Sequence, residues 1–375
     1  MKFIVSSLEL LSHLQAISKV ISTKSAFPVL DCFLFDLQGT TLNMTASDLE
    51  VTMTTSMEVE VNEEGEKVAI PSKTLLELLK KFPDMPLTFN ISEETQNVEI
   101  KYERGHSNFV AQPGDDFPLI PEIDEEKVKK MQIPASTLLT GINKTLFATA
   151  DDDLRPVMNG ILMEVGEENL TFVASDSHKL VRYRRDDVKN EFTASFILAK
   201  KPAGLLKSVL PREAGDVVVE FDNKNAFFHL PNYKLVCRLV EGNYPAYNSV
   251  IPVDNQYKAS IDRVDFMNTL GRVAIFANQS SNLVKLSLAD NKMVVSAQDL
   301  DFSVSGEEEL NCQFEGDELE IGFKAAFLAN ILENLASTEI VIEMTNPSRA
   351  VLILPFEKNE NEDELMLLMP MMINS

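Results

Sequence analysis

The sequence predicts an α+β protein made of three tandem copies of one unit, two helices packed on antiparallel sheet. Three repeated elements carry that prediction. A strand ending on an aspartate turn occurs as Leu42-Asn-Met-Thr-Ala-Ser-Asp48, Leu170-Thr-Phe-Val-Ala-Ser-Asp176 and Met293-Val-Val-Ser-Ala-Gln-Asp299, the aspartates 128 and then 123 residues apart. A lysine heading an apolar helical run keeps the same step at Lys73, Lys201 and Lys324. Asp116-Phe-Pro118 recurs as Asn243-Tyr-Pro245, 127 residues on. Independent elements at a common offset imply three domains of about 120 residues each. Their expected bounds are 1–121, 130–251 and 256–375, with a charged link at 121–130 and a proline-led one at 252–257.

Each unit opens with a strand and then an amphipathic helix. In the first copy Leu8, Leu11, Leu14, Ile17, Val20 and Ile21 recur at three or four residues and predict one apolar face. The counterparts are expected at about 135–148 and 263–277. Strands follow, because polar and apolar residues trade places with period two through 51–61 and 216–221. Such alternation predicts sheets with one wet face.

With 375 residues, 45% hydrophobic and 25% charged, the chain can bury a core in every domain. No apolar run reaches the roughly 18 residues of a membrane span. The opening Met1-Lys2-Phe3-Ile4-Val5 runs into polar residues rather than a signal-peptide block, so the expectation is a cytoplasmic protein with no membrane partner. Cys32, Cys237 and Cys312 are odd in number and far apart, which excludes a disulfide framework or a zinc site and reads as buried thiols.

A formal charge of −24 argues on its face against nucleic acid. Placement matters more than the total, however. The six predicted helices are net basic by roughly seven charges, so strands and loops must be strongly acidic. A body segregated in this way attracts a polyanion on one surface and repels it elsewhere. The plainer account is that helices simply prefer lysine to aspartate.

Catalytic chemistry has little support. There is no G-x-x-x-x-G-K-[ST] loop or G-x-G-x-x-G turn. Asp151, Asp152 and Asp153 could hold a divalent cation in a metal-dependent DNA-processing enzyme, since hard cations want carboxylate oxygens. Consecutive acids point different ways, though, and no second cluster shares their context; a turn after the helix is the competing account, and no metal or cofactor is expected. His178 beside Ser175 and Ser177 lacks an elbow or an oxyanion loop, and reads as a hydrogen-bonding histidine. A peptide-binding adaptor with no DNA role remains the other rival.

Met1-Lys-Phe, Phe27-Pro-Val-Leu30, Asp48-Leu-Glu50, Asp116-Phe-Pro118, Val157-Met-Asn-Gly-Ile-Leu162, Ala174-Ser-Asp-Ser-His-Lys-Leu180, Gly242-Asn-Tyr-Pro245 and Leu367-Leu-Met-Pro-Met371 stand in an order that resembles the bacterial DNA polymerase III beta subunits, the sliding clamps. The resemblance covers the whole chain. It implies the DNA clamp fold: a three-domain crescent that dimerises head to tail into a closed ring around duplex DNA, with helices lining the hole. The implied role is a non-catalytic processivity subunit of a DNA polymerase (nucleotidyltransferase) holoenzyme. Replicative polymerase, clamp loader and repair proteins are the implied partners.

On that resemblance Lys24, Lys73, Lys80, Lys144, Lys200, Lys201 and Lys207 are the candidate phosphate contacts. Leu78 and Phe109 on one face, and Ile275 and Phe276 on the other, are the candidates for the dimer contact, with domain core as the alternative. The implied partner-peptide pocket takes Met158, Ser175, Ser177, His178, Lys179 and Leu180 from one segment. Pro245, Ser249, Val250 and Phe327 come from two more, and Leu367, Leu368, Met369, Pro370 and Met371 from the terminus. A terminus as apolar as 365–373 needs a groove or a core, and methionine suits a surface that accepts varied partners. The family commonly has Gly at Ser177, Arg at Lys179, an aromatic at Ser281 and Arg at Met372, so the preferred peptide is expected to differ.

Overall fold

Strand Lys2–Ser6 turns directly into a helix because Ser6 keeps an extended backbone and its hydroxyl accepts the Glu9 amide. The computed structural model describes residues 1–22, 27–63 and 65–373. Among them are six α-helices: α1 (Ser7–Ile17), α2 (Ser72–Leu79), α3 (Ala135–Thr145), α4 (Lys200–Val209), α5 (Arg263–Val273) and α6 (Ala325–Asn334). In α1 the buried face runs through Leu10, Leu14 and Ile17, whereas Leu8, expected inside, is 48% exposed. Starting the helix at Ser7 turns Leu8 outward in the first turn. The expected strand 51–61 breaks at Val59, so that Val51–Glu58 and Glu60–Glu63 join different sheets.

The chain gathers into two units. The first, Met1–Leu139 with Gly204–Leu239, holds a five-stranded sheet that ends on Gly105–Val110. Its second sheet has nine strands and is antiparallel at every pairing. There Val51–Glu58 pairs with Tyr233–Arg238, which brings residues of the first and second copies into one sheet. Phe3 stacks on Phe89 at 4.9 Å and both lie within reach of Phe35, forming the aromatic centre of this core.

The second unit, Thr140–Ala203 with Val240–Ser375, repeats the plan. Its nine-stranded sheet pairs Lys179–Arg185 with Glu362–Leu368, joining the second and third copies. A four-stranded sheet ends on Val304–Asn311. Its largest buried cluster centres on Phe266, Leu270, Phe323, Leu328 and Ile331 from α5, α6 and the strand between.

Strand register fixes the equivalence of the copies. Cys32 pairs with Pro71, Gly160 with Ala199, and Leu283 with Lys324, each pair just ahead of α2, α4 or α6. Lys324 therefore matches Pro71 and Ala199, not Lys73 and Lys201 as the sequence spacing suggested. The third copy carries two more residues between its aspartate turn and this strand, so the common step of 123 was a coincidence for the lysine. The aspartate turns are equivalent in their bonding: Asp48, Asp176 and Asp299 each accept the amide two residues on through Oδ1.

Candidate functional site

The turn Asp176-Ser177-His178 builds one wall of the candidate partner surface. Asp176 Oδ1 accepts both the His178 and the Lys179 amides at 2.9 Å, and buried Ser175 Oγ accepts the Ser177 amide. These bonds hold Ser177 at φ +77°, a left-handed position that favours glycine; Leu49 occupies the same place in the first copy, also at +77°. Ser177 Oγ accepts from the Arg155 guanidinium and reaches the Met158 sulfur at 3.7 Å.

Below the turn lies an apolar floor. Leu162, Val173, Leu180, Ile197, Leu352, Leu365 and Leu367 form one buried cluster with Tyr247, and Val157, Val240, Tyr244 and Ile251 pack against it. The terminal strand seals its edge: the Met369 amide donates to the His178 carbonyl and the Met371 amide to the Gly322 carbonyl, each at 2.8 Å. Leu368 is fully buried and Leu367 nearly so, while Met369 is 40% exposed and Pro370 and Met371 half-buried. The terminal strand thus serves core and surface at once. Pro245, Ser249 and Val250 are exposed at the rim.

Phe327 stands at the other side, with the His178 ring stacked on it at 5.3 Å. The ammonium groups of Lys179 and Lys324 each lie 4.9 Å from its centroid. Lys179 is buried and ion-paired to Asp176 at 2.6 Å.

The candidate DNA lysines divide into three groups. Lys73, Lys201 and Lys207 are exposed on α2 and α4, and Lys80 is exposed just past the end of α2. Lys24 lies outside the described residues. Lys144 corrects the expectation, because its ammonium group is engaged within the fold, whereas Lys200 keeps a partly exposed ammonium in a surface pair. Lys144 binds Glu364 at 2.5 Å with both side chains largely buried, and Lys200 binds Asp151 at 2.6 Å. Their carboxylate partners lie 220 and 49 residues away in sequence.

Three of the four interface candidates sit at or beside the last strand of a sheet. Phe109 is half-buried on Gly105–Val110, the last strand of its sheet, and Leu78 is half-buried on α2. Ile275 is 77% exposed; Phe276 lies against the backbone of Val304–Asn311, where a side chain on Gly306 would collide with its ring.

The family models decide the matter. Those for the DNA polymerase III beta subunit match residues 1–121 with the N-terminal domain, 132–246 with the central domain and 248–372 with the C-terminal domain. The chain belongs to the DNA polymerase III beta subunit family. The beta sliding clamp of Vibrio cholerae is 25% identical over 370 residues, 99% of each chain. Among solved structures, a sliding clamp from Pseudomonas aeruginosa bound to griselimycin is 25% identical with a TM-score of 0.93, covering both chains fully. One from Bartonella birtlesii, also bound to griselimycin, is 26% identical with a TM-score of 0.92 and the same coverage. As a member of this family the chain is a DNA sliding clamp, a non-catalytic subunit, in the three-domain clamp fold.

Membership also disposes of the enzyme alternative. Asp152 pairs with Arg155 and accepts the Leu154 amide, and Asp151 pairs with Lys200, so two of the three acids are engaged in the loop that follows α3. Among the described residues, no group of three His, Cys, Asp or Glu side chains could hold a metal ion. No helix of the described residues is long and apolar enough to cross a membrane.

Sequence reasoning missed Tyr244, Tyr247 and Arg155, and most of the floor beneath them, Leu162, Val173, Ile197, Leu352 and Leu365. Tyr244 stood inside the repeated Asn243-Tyr-Pro245 motif and could have been taken from it. The Tyr247 hydroxyl donates to Glu164 at 2.5 Å, and burial, helped by that carboxylate, pushes its phenol up to about 12.

Proposed function

We propose that two copies of the chain close head to tail into a ring around double-stranded DNA, non-sequence-specifically, and hold the replicative polymerase at its template. The first domain, 1–121, meets the partner copy's third, 256–375, with 130–251 between them. Exposed Lys73, Lys80, Lys201 and Lys207 face phosphates loosely enough for sliding, and Lys24 joins them. Polymerase, clamp loader and repair proteins dock short apolar peptides on the floor around Leu180 and Leu367, under the Ser177 turn and beside Phe327. The ring works in the cytoplasm.

The observation that carries the ring is the pair of open sheet edges. Gly105–Val110 ends one sheet with Val110 67% exposed and with Arg104 and His106 in solvent. Val304–Asn311 ends another with Glu307, Glu308 and Glu309 along it and exposed Ile275, Leu300 and Phe302 nearby. A sheet edge with unpaired backbone groups can accept a strand, and the exposed apolar side chains beside the two edges add area to bury; Glu308 and Glu309 are paired with Arg272 and Lys292, which leaves Glu307 to attract a basic edge. Light scattering should give the mass of a dimer, and Ile275→Asp, on a side chain the monomer does not bury, should give monomers. Loaded wild type should stay on nicked circular DNA and leave linear DNA. A wild type that is monomeric at every concentration overturns the ring.

A further inference from the structure

We propose that a recess in the second unit binds an aliphatic polyamine, with one ammonium at the buried Glu364 carboxylate and another at the exposed Glu357. The recess has a volume of about 190 Å³ and lies among the last turn of α3, the segment after α6 and the start of strand Glu362–Leu368. Four carboxylates line it, those of Glu357, Glu362, Asp363 and Glu364, against the two ammonium groups of Lys144 and Lys358. Glu362 is fully served, accepting from Tyr183, Arg185 and Asn359, and Asp363 accepts from Arg182. Glu364 is not. Its Oε2 takes Lys144, while Oε1 has no hydrogen-bond partner although the side chain is only 8% exposed.

A buried carboxylate oxygen left without a donor costs free energy that an arriving donor recovers. Burial also outweighs Lys144 in raising the Glu364 carboxyl, so the lysine compensates that group only in part. At the other station Glu357 is exposed, and no described residue forms an ion pair with it. The missing partner is therefore a cation that donates hydrogen bonds. A bound metal wants several oxygens converging on one centre, and among the described residues no group of three acidic, His or Cys side chains is placed to hold one. An ammonium is content with one or two acceptors. Pro355, Ala336 and the alkyl stem of Lys358 add apolar surface to the same lining, which suits methylenes. Two anionic stations and an apolar wall fit a chain with a cation at each end, whereas one lysine side chain from a protein partner fills a single station.

The test titrates the full chain by isothermal calorimetry with the terminal diamines of propane, butane and pentane, beside propylamine and magnesium chloride at one ionic strength of about 50 mM. At least one diamine should bind about fivefold tighter than propylamine, the upper worth of one added exposed ion pair. E357Q should cost that diamine about fivefold and leave propylamine unchanged. K358Q removes a competing cation from the lining and should tighten the diamine by a similar factor. Both side chains are exposed, so opposite shifts at neighbouring positions do not come from misfolding. E364Q should abolish binding of every amine. Diamines that bind no better than propylamine or magnesium overturn the site, as do E357Q and K358Q shifting affinity in the same direction. A diamine that binds E364Q as well as wild type sits elsewhere on this acidic chain, and that result overturns the site too.

Discussion

Two strand pairs in this molecule have the same backbone and opposite surfaces. Val51–Glu58 pairs with Tyr233–Arg238 where the first copy meets the second, and Lys179–Arg185 pairs with Glu362–Leu368 where the second meets the third. Val51 is opposite Cys237 as Lys179 is opposite Leu368. In the first, Val51–Glu58 meets its other neighbour, Thr41–Ser47, through hydroxyls: Ser47 bonds Thr52 at 2.8 Å, and Thr45 bonds Thr54 at 3.0 Å. In the second, Val173 and Leu180 take the places of Thr45 and Thr52, and Leu365 and Leu367 complete the apolar floor. Farther along, this pair becomes ionic, with Arg182 on Asp363, Arg185 on Glu362 and Lys144 on Glu364. Hydroxyls bonded to each other leave nothing for a peptide to bury, whereas leucines do. A handful of side chains, on a conserved pairing scheme, separates a structural seam from a docking surface.

The sharpest way to break the comparison is at the ionic end, which the first seam lacks. Lys144→Met strands a buried Glu364 carboxylate and should destabilise the protein by about 3–5 kcal/mol in chemical denaturation. Changing both residues to Met should recover most of that loss, because two apolar side chains of similar volume leave no buried charge. Failure of the double variant to recover would mean that the pair is needed for more than mutual neutralisation.

Next in size is truncation of the equivalent residues at the other end. Leu180→Ala opens a cavity in the floor and should cost about 2–4 kcal/mol, and it should also weaken apolar peptides. Thr52→Ala removes one hydroxyl pair and should cost about 1 kcal/mol. Equal losses at the two positions would show that the seams are energetically alike and that only their exposed rims differ.

Much of this contrast was legible in the sequence and some was not. The repeat could be read because the aspartate turns use short-range bonds that leave a local signature, as in Asp176 with His178 and Lys179. Of the floor residues only Leu180 and Leu367 were placed, one beside that turn and one in the apolar terminus; Leu162, Ile197 and Leu352 come from other strands that only the fold brings together. The fates of Lys144 and Lys200 could not, since Glu364 and Asp151 meet them only through the tertiary fold. Lys324 was misassigned because two residues inserted upstream mimicked the repeat spacing, and only strand pairing removes that ambiguity. Which strands are left open at a sheet edge is likewise a property of topology; Gly105–Val110 and Val304–Asn311 alternate like any others.

The smallest expected effect separates two carboxylates on one strand. Burial pushes the Glu364 carboxyl above its ordinary range and outweighs the attraction of Lys144. Burial also pushes on Glu362, but hydrogen bonds from Asn359 and Tyr183 and the charge of Arg185 win and hold it below that range. The signs are therefore opposite. Glu364 favours the fold most below the unfolded carboxylate pKa, and its contribution is lost as pH rises through its raised folded value. Glu362 contributes above the unfolded pKa, and its stabilisation is lost as pH falls through its depressed folded value. Melting temperatures followed from acid to neutral pH should show Glu364→Gln gaining on wild type as pH rises past the ordinary glutamate range. Glu362→Gln should lose ground over the rise to neutral pH. A constant offset in either variant reflects packing, so the slope is what counts. Parallel slopes for the two variants would mean that the ionic end titrates as a single unit, and the contrast with the hydroxylic seam would then rest on the leucines alone.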